Sequence, residues 1–201
     1  MSEIPTFGDR RRTRIGLLGG SFNPAHAGHL HVAMLARRVL RLDQVWLMVS
    51  PGNPLKPAAG MAELAARLAS ANRIADGRRI VATDIEARLG TRYTADTLRK
   101  LRIRFPNARL TWLMGADNLV QLPRWKHWQR IVRLMPFAVL PRPTYNHRAL
   151  AGCAARRLRP ARLSARHAAI LSGLTAPRWI FLPTRQHAAS ATQIRLAAQF
   201  P

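Results

Sequence analysis

Short apolar runs alternate with helix-patterned segments along nearly the whole chain, and no other feature constrains the fold as much. Thr13 to Gly19 (TRIGLLG) reads as a buried strand, an apolar run ended by glycine. A Gly/Pro-rich loop follows, GGSFNPAHAGH. Then comes HLHVAMLARRVLRL, whose Leu30, Ala33 and Met34 share one helical face. Strand, loop and helix open a βαβ unit. The pattern predicts further strands at Gln44–Ser50, Arg79–Ile85, Arg109–Met114, Phe137–Leu140 and Trp179–Leu182. Helices are predicted over Met61–Ala75, Thr94–Phe105 (capped by Thr91 or Thr94), Trp125–Leu134 and Ala191–Gln199 (capped by Ser190). Strands separated by helices predict an α/β fold, a doubly wound parallel sheet with helices on both faces. Asn146 to Pro177 breaks the alternation. It is rich in Ala and Arg and poor in strand formers, and predicts one or two helices split near Pro160, a basic insert (146–177) within a single domain spanning 1–201.

At 201 residues and 48% hydrophobic, the chain is long enough to bury a core. It contains no apolar run long enough to span a membrane and no secretory h-region near its N-terminus. Its single cysteine, Cys153, excludes an intrachain disulfide framework. A cytoplasmic location is the expectation. Thirty-three basic residues against nine acidic ones give a formal charge of +24, and only Lys56, Lys100 and Lys126 are lysines. No carboxylate side chain occurs after Asp117. Such a field attracts polyanions, but it speaks to partners rather than to fold.

The loop Gly19–His29 carries the chemistry. In an open parallel sheet, ligands bind beyond the carboxyl ends of the strands. Gly19 and Gly20 allow close backbone approach, and a helix starting near His29 turns free N–H groups and its positive dipole end to the loop. His26 and His29, three apart at that helix start, can each donate a hydrogen bond to phosphate. The loop lacks both the Walker A lysine and the G-x-G-x-x-G fingerprint. His26, His29 and His31 lack a nearby cysteine or carboxylate to complete a zinc site, so no metal ligand is expected. Near the C-terminus, Ser190 caps a helix whose N-terminus can hold an anion, and Arg195 lies about one and a half turns on.

The stretch GGSFNPAHAGH resembles the signature of the nucleotidyltransferase superfamily marked by H-x-G-H. SATQIR (Ser190–Arg195) is similar to that family's second signature, S-x-T-x-x-R. The segment TWLMGADNLVQLPRWKHW resembles the bacterial nicotinate mononucleotide adenylyltransferases, with G-x-D after a strand and W-x-x-W downstream. The resemblance runs from about Arg14 to Arg195. It implies a Rossmann-like fold and transfer of AMP from ATP to nicotinate mononucleotide, giving nicotinate adenine dinucleotide and pyrophosphate, with Mg²⁺ accompanying ATP. It implies ATP contacts from Gly19, Gly20, Ser21, Phe22, His26, His29, Asp117, Ser190, Thr192 and Arg195, with His26, His29 and Arg195 catalytic. It implies mononucleotide contacts from Lys56, Thr94, Trp125, Lys126 and Arg142, Trp125 stacking on the pyridine ring. Asn23 stands where many members have aspartate, and Ala191 where some have serine. Two other readings compete: a relative using a different phosphate acceptor, and a basic nucleic-acid-binding module.

Overall fold

The structure is a computed structural model that describes residues 4–52 and 60–183. Among the described residues, seven parallel strands form one sheet: β1 (Arg14–Gly20), β2 (Gln44–Val49), β3 (Ile80–Thr83), β4 (Arg109–Gly115), β5 (Phe137–Leu140), β6 (Arg162–Leu163) and β7 (Trp179–Phe181). Their spatial order is β3-β2-β1-β4-β5-β7-β6. The order reverses direction between β1 and β4, and this is the switch point where such sheets bind ligands. The expected doubly wound parallel sheet is therefore present.

Between the strands run α1 (Ala27–Val39), α2 (Leu64–Ile74), α3 (Ile85–Arg88), α4 (Thr94–Arg104), α5 (Ala116–Gln121), α6 (Trp128–Leu134), α7 (Asn146–Ala151) and α8 (Cys153–Arg157). Two apolar cores sandwich the sheet. One holds Ile15, Leu17, Trp46 and Met48 with residues of α4, α5, α6, α7 and α8. The other holds Leu18, Val45 and Leu47 with Ala33 and Ala36 of α1 and Ala71 of α2. Because successive strand residues face opposite sides, Leu17 and Leu18 serve different cores. Gly16 is small because Leu42 and Leu113 press on it. A Cβ there would lie 2.7 Å and 2.8 Å from their methyl groups.

Several boundaries differ from the sequence pattern. Helix α1 begins at Ala27, with His26 as its N-cap, rather than near His29. Neither Thr91 nor Thr94 caps α4. Tyr93 holds the N-cap position, Thr94 is the first helical residue, and the Thr91 hydroxyl instead bonds the Glu86 carbonyl (3.1 Å) and Thr97 (2.8 Å). Trp125 lies outside α6. Pro123 sits in a tight 3₁₀ turn over Leu122–Arg124, and His127 adopts a left-handed φ of 57°, so the helix cannot start before Trp128. Trp179–Phe181 is the seventh strand rather than the sixth, because the basic segment contributes β6. That segment otherwise folds as α7, α8 and two 3₁₀ stretches, Arg159–Ala161 and Ala165–Gly173, broken near Pro160 as the pattern suggested. The expected helix at Ala191–Gln199 lies outside the described residues.

Candidate active site

The loop after β1 turns sharply at Phe22, whose φ of 47° places it in the left-handed region while its ring is buried. A Cβ on Gly20 would sit 3.1 Å from that ring, so glycine lets the ring fold under the loop. Asn23 fastens the loop from its far side. Its Nδ2 donates to the Gly60 carbonyl (2.8 Å), and its Oδ1 accepts from the Ala62 N–H (3.2 Å). A carboxylate could not make the first of these bonds.

The two histidines then cap α1 reciprocally. The Gly28 N–H donates to His26 Nδ1 (3.1 Å), and the His26 N–H donates to His29 Nδ1 (3.2 Å). This is the hydrogen-bond pattern of a capping box, with imidazole nitrogens as the acceptors. An Nδ1 that accepts carries no proton, so each neutral ring holds its proton on Nε2. The rings lie 4.0 Å apart, centroid to centroid, and Phe22 lies 4.8 Å from His29. Burial, then the neighbouring His26 and Arg142, push the His29 pKa down to about 3. At neutral pH His29 is therefore an uncharged Nε2–H donor and not a cation.

Arg67 was not anticipated from sequence. It is 2% exposed on α2, and its guanidinium donates only to backbone carbonyls. Nε reaches Ala62 (2.8 Å), one terminal nitrogen reaches Ser21 (2.8 Å) and Ser50 (2.7 Å), and the other reaches Pro51 (3.3 Å). It thus ties the loop after β1 to the loop after β2. One turn on, Ser70 accepts from the Ala25 N–H (3.0 Å). The sequence signal was a charge inside an apolar stripe, since Leu64, Leu68 and Ala71 flank Arg67 at helical spacing.

At the exit of β4, the chain passes from Gly115 directly into α5. A Cβ on Gly115 would collide with the Asp117 carboxylate and would lie 3.2 Å from the Arg142 side chain, which is why glycine precedes Asp117. Arg142, just beyond β5, pairs with Asp117 at 3.5 Å, an ionic contact too long for a hydrogen bond. Asp117 Oδ1 is buried with no hydrogen-bond partner among the described residues.

Opposite these groups stand Tyr93 and Thr94 at the start of α4, with Lys126 Nζ 4.4 Å from the centre of the Tyr93 ring. Trp125 packs on Trp112 at 5.8 Å, and its buried Nε1 has no partner among the described residues. Glu86, nearly buried, also lines this end, and burial raises its pKa to about 7.

Most of these border one cavity of about 430 Å³ at the C-terminal edge of the sheet, while Asn23, Arg67 and Ser70 brace its loops from outside. It brings together Gly19, Gly20, Ser21, Phe22, His26, His29, Thr94, Asp117, Trp125, Lys126 and Arg142. Lys56, Ser190, Thr192 and Arg195 lie outside the described residues. His31 borders the cavity as well, yet among the described residues no three His, Cys, Asp or Glu side chains are placed to hold a metal ion.

A Rossmann-like sheet with an H-x-G-H helix start at its switch point is the framework of nucleotidyltransferases. The chain belongs to the cytidylyltransferase-like family, whose model matches residues 17–197. Within that family its relatives are nicotinate-nucleotide adenylyltransferases. A probable enzyme of that name from Gluconacetobacter diazotrophicus is 62% identical over 98% of this chain and 92% of its own length. One from Gluconobacter oxydans is 59% identical over 93% of this chain and 96% of its own. Among solved structures, the Plasmodium falciparum nicotinic acid mononucleotide adenylyltransferase complexed with NaAD matches with a TM-score of 0.66 and 16% identity. That match covers 92% of this chain and 83% of the other, and at that identity it speaks for the shared fold. No helix among the described residues is long and apolar enough to cross a membrane.

Proposed function

We propose that the chain transfers the adenylyl group of Mg²⁺–ATP to nicotinate mononucleotide, releasing pyrophosphate and forming nicotinate adenine dinucleotide. The observation that carries this reading is the convergence of residues from five separate segments, Gly19–His29, Thr94, Asp117, Trp125–Lys126 and Arg142, on one cavity at the switch point. The acceptor phosphate is already an anion, so the reaction needs no protein nucleophile and no strong base. A phosphate oxygen attacks the α-phosphorus in line, the bond to the bridging oxygen breaks, and pyrophosphate leaves with that electron pair. The protein's part is to hold two anions together and to donate to the phosphate oxygens as charge shifts onto the leaving group.

On this reading His26 and His29 give two Nε2–H donors, and the start of α1 adds the positive end of its dipole. Arg195 of the C-terminal signature adds a fixed cation, with Ser190 and Thr192 beside it. Mg²⁺ arrives with ATP, held by phosphates and water rather than by a protein cage. Asp117 holds the adenosine side and is freed to do so when Arg142 turns to a phosphate. Trp125 stacks on the pyridine ring, Thr94 and the backbone beside Lys126 meet the carboxylate, and Lys56 meets the mononucleotide phosphate.

The test is pyrophosphate release from ATP and Mg²⁺ with nicotinate mononucleotide and nicotinamide mononucleotide side by side. A higher kcat/KM with the acid supports both reaction and acceptor. Equal values remove the acid preference, and no release with either ends the reading.

A further inference from the structure

Part of the positive charge of this protein stands in a row where the proposed reaction does not use it. Three strands begin on an arginine: Arg14 in β1, Arg109 in β4 and Arg162 in β6. Two more are immediately preceded by one, Arg79 before β3 and Arg178 before β7. The sheet itself fixes these positions. Arg14 is in register with Arg109, the Arg79 carbonyl accepts from the Val45 N–H (2.8 Å), and the Arg178 carbonyl accepts from the Phe137 N–H (3.0 Å). With seven strands about 4.8 Å apart, the row extends about 29 Å along the N-terminal edge. That edge lies about 20 Å, the length of β1, from the nucleotide cavity.

Among the described residues, Arg14 is the one member of the row paired with a carboxylate. The carboxylates at this edge are already engaged: Asp43 with Arg14 (2.9 Å), Asp9 with Arg11, and Asp76 with the backbone N–H groups of Arg78, Arg79 and Ile80. Among the described residues, no carboxylate pairs with Arg12, Arg109 or Arg178, and all three are exposed. Arg12, Arg14 and Arg109 border an open recess together with Asn107 and Asp43, three guanidinium groups to one carboxylate. Arginines in the last turn of a helix offset its dipole, but a residue that starts a strand has no such duty.

An exposed aromatic ring lies on the segment that leads into the row. Phe7, 82% exposed, precedes Arg12 on a segment laid along the base of α4, where the Asp9 N–H donates to the Arg104 carbonyl (3.1 Å) and Asn107 Nδ2 to the Arg10 carbonyl (3.4 Å). A line of guanidinium groups spaced along one edge, with an exposed ring on the segment leading into it, suits a phosphodiester backbone and a stacked base. We infer that the N-terminal edge of the sheet binds single-stranded nucleic acid, at a surface separate from the nucleotide cavity.

The test is fluorescence anisotropy of a labelled single-stranded oligonucleotide of about 20 nucleotides, titrated with the full chain from about 0.05 to 0.2 M salt. Binding is expected, with log K falling against log salt at a slope of about −3, as for four or five phosphate contacts. Arg109→Glu combined with Arg178→Glu should weaken binding about tenfold or more and flatten that slope, with pyrophosphate release unchanged. Phe7→Ala should weaken it about fivefold. Arg148→Glu, on α7 beyond the C-terminal end of β5 and so at the opposite edge from the row, should have little effect. No binding near 0.1 M salt overturns the proposal. So does equal loss with Arg148→Glu, which would mean diffuse charge, and so does binding to anionic phosphatidylserine vesicles but not to the oligonucleotide.

Discussion

The two ends of the sheet treat charge in opposite ways. At the C-terminal edge, polar groups are buried and held by backbone: His26 and His29 cap each other's turn, and Arg67 spends its donors on four carbonyls. His29 there is neutral, its pKa near 3. At the N-terminal edge, arginines stand exposed with few partners. A formal charge of +24 therefore says little about how the cavity works. The cavity depends on aimed donors in a dry site, while the far edge depends on number and position in water.

The comparison breaks most sharply at His29. His29→Ala should lower kcat about 10²–10³-fold, since it removes one fixed donor to the shifting charge. The far-ultraviolet circular dichroism spectrum should be unchanged, and an unaltered kcat would remove His29 from the reaction. Arg67→Met comes next. It leaves four carbonyls without their donor, so unfolding in urea should show a loss of about 2–3 kcal/mol, and kcat/KM should fall about tenfold or more as the two loops separate. Arg67→Lys should recover part of both, because an ammonium can still reach some of the carbonyls.

Trp125→Ala should raise KM for the mononucleotide about tenfold while leaving KM for ATP near its original value. A rise in the ATP constant instead would move Trp125 to the other end of the cavity.

The pH response sharpens the contrast further. Burial raises the Glu86 pKa from 4.5 to about 7, so the native state holds that proton more tightly than the unfolded chain does. The stability linked to neutral Glu86 is full below about pH 4.5 and is lost as pH rises through 7. Glu86→Gln should therefore raise Tm by a few degrees at pH 8 and hardly at all near pH 4.5. His29 acts in reverse: its contribution is full above about pH 6.5 and is lost as pH falls toward 3. The smallest effect should come from the other edge, where Arg109→Ala should leave pyrophosphate release within about twofold.

The strands were legible because both faces of the sheet are covered, which makes β1, β2 and β4 nearly continuous apolar runs. Strand β6 was not, being two residues long and starting on an exposed arginine at the sheet's margin. The start of α6 was misplaced because Trp125 and Trp128 fit helical spacing, while the break came from His127, whose backbone conformation no side-chain pattern records. In the cavity, spacing and resemblance found both histidines, Asp117 and Trp125. Arg67 escaped because an arginine on a helix reads as solvated unless its place in the apolar stripe is weighed. The neutral state of His29 was also hidden, since it depends on walls that Phe22 and Arg142 bring in from elsewhere.

Reciprocal capping makes the first turn of α1 and the two imidazoles a single thermodynamic object. Losing either ring loosens the start of the helix without unwinding it, so the phosphate loses a side-chain donor and the aim of its neighbour together. The two histidines are therefore non-additive by construction: once one is gone, removing the other has much less left to take away.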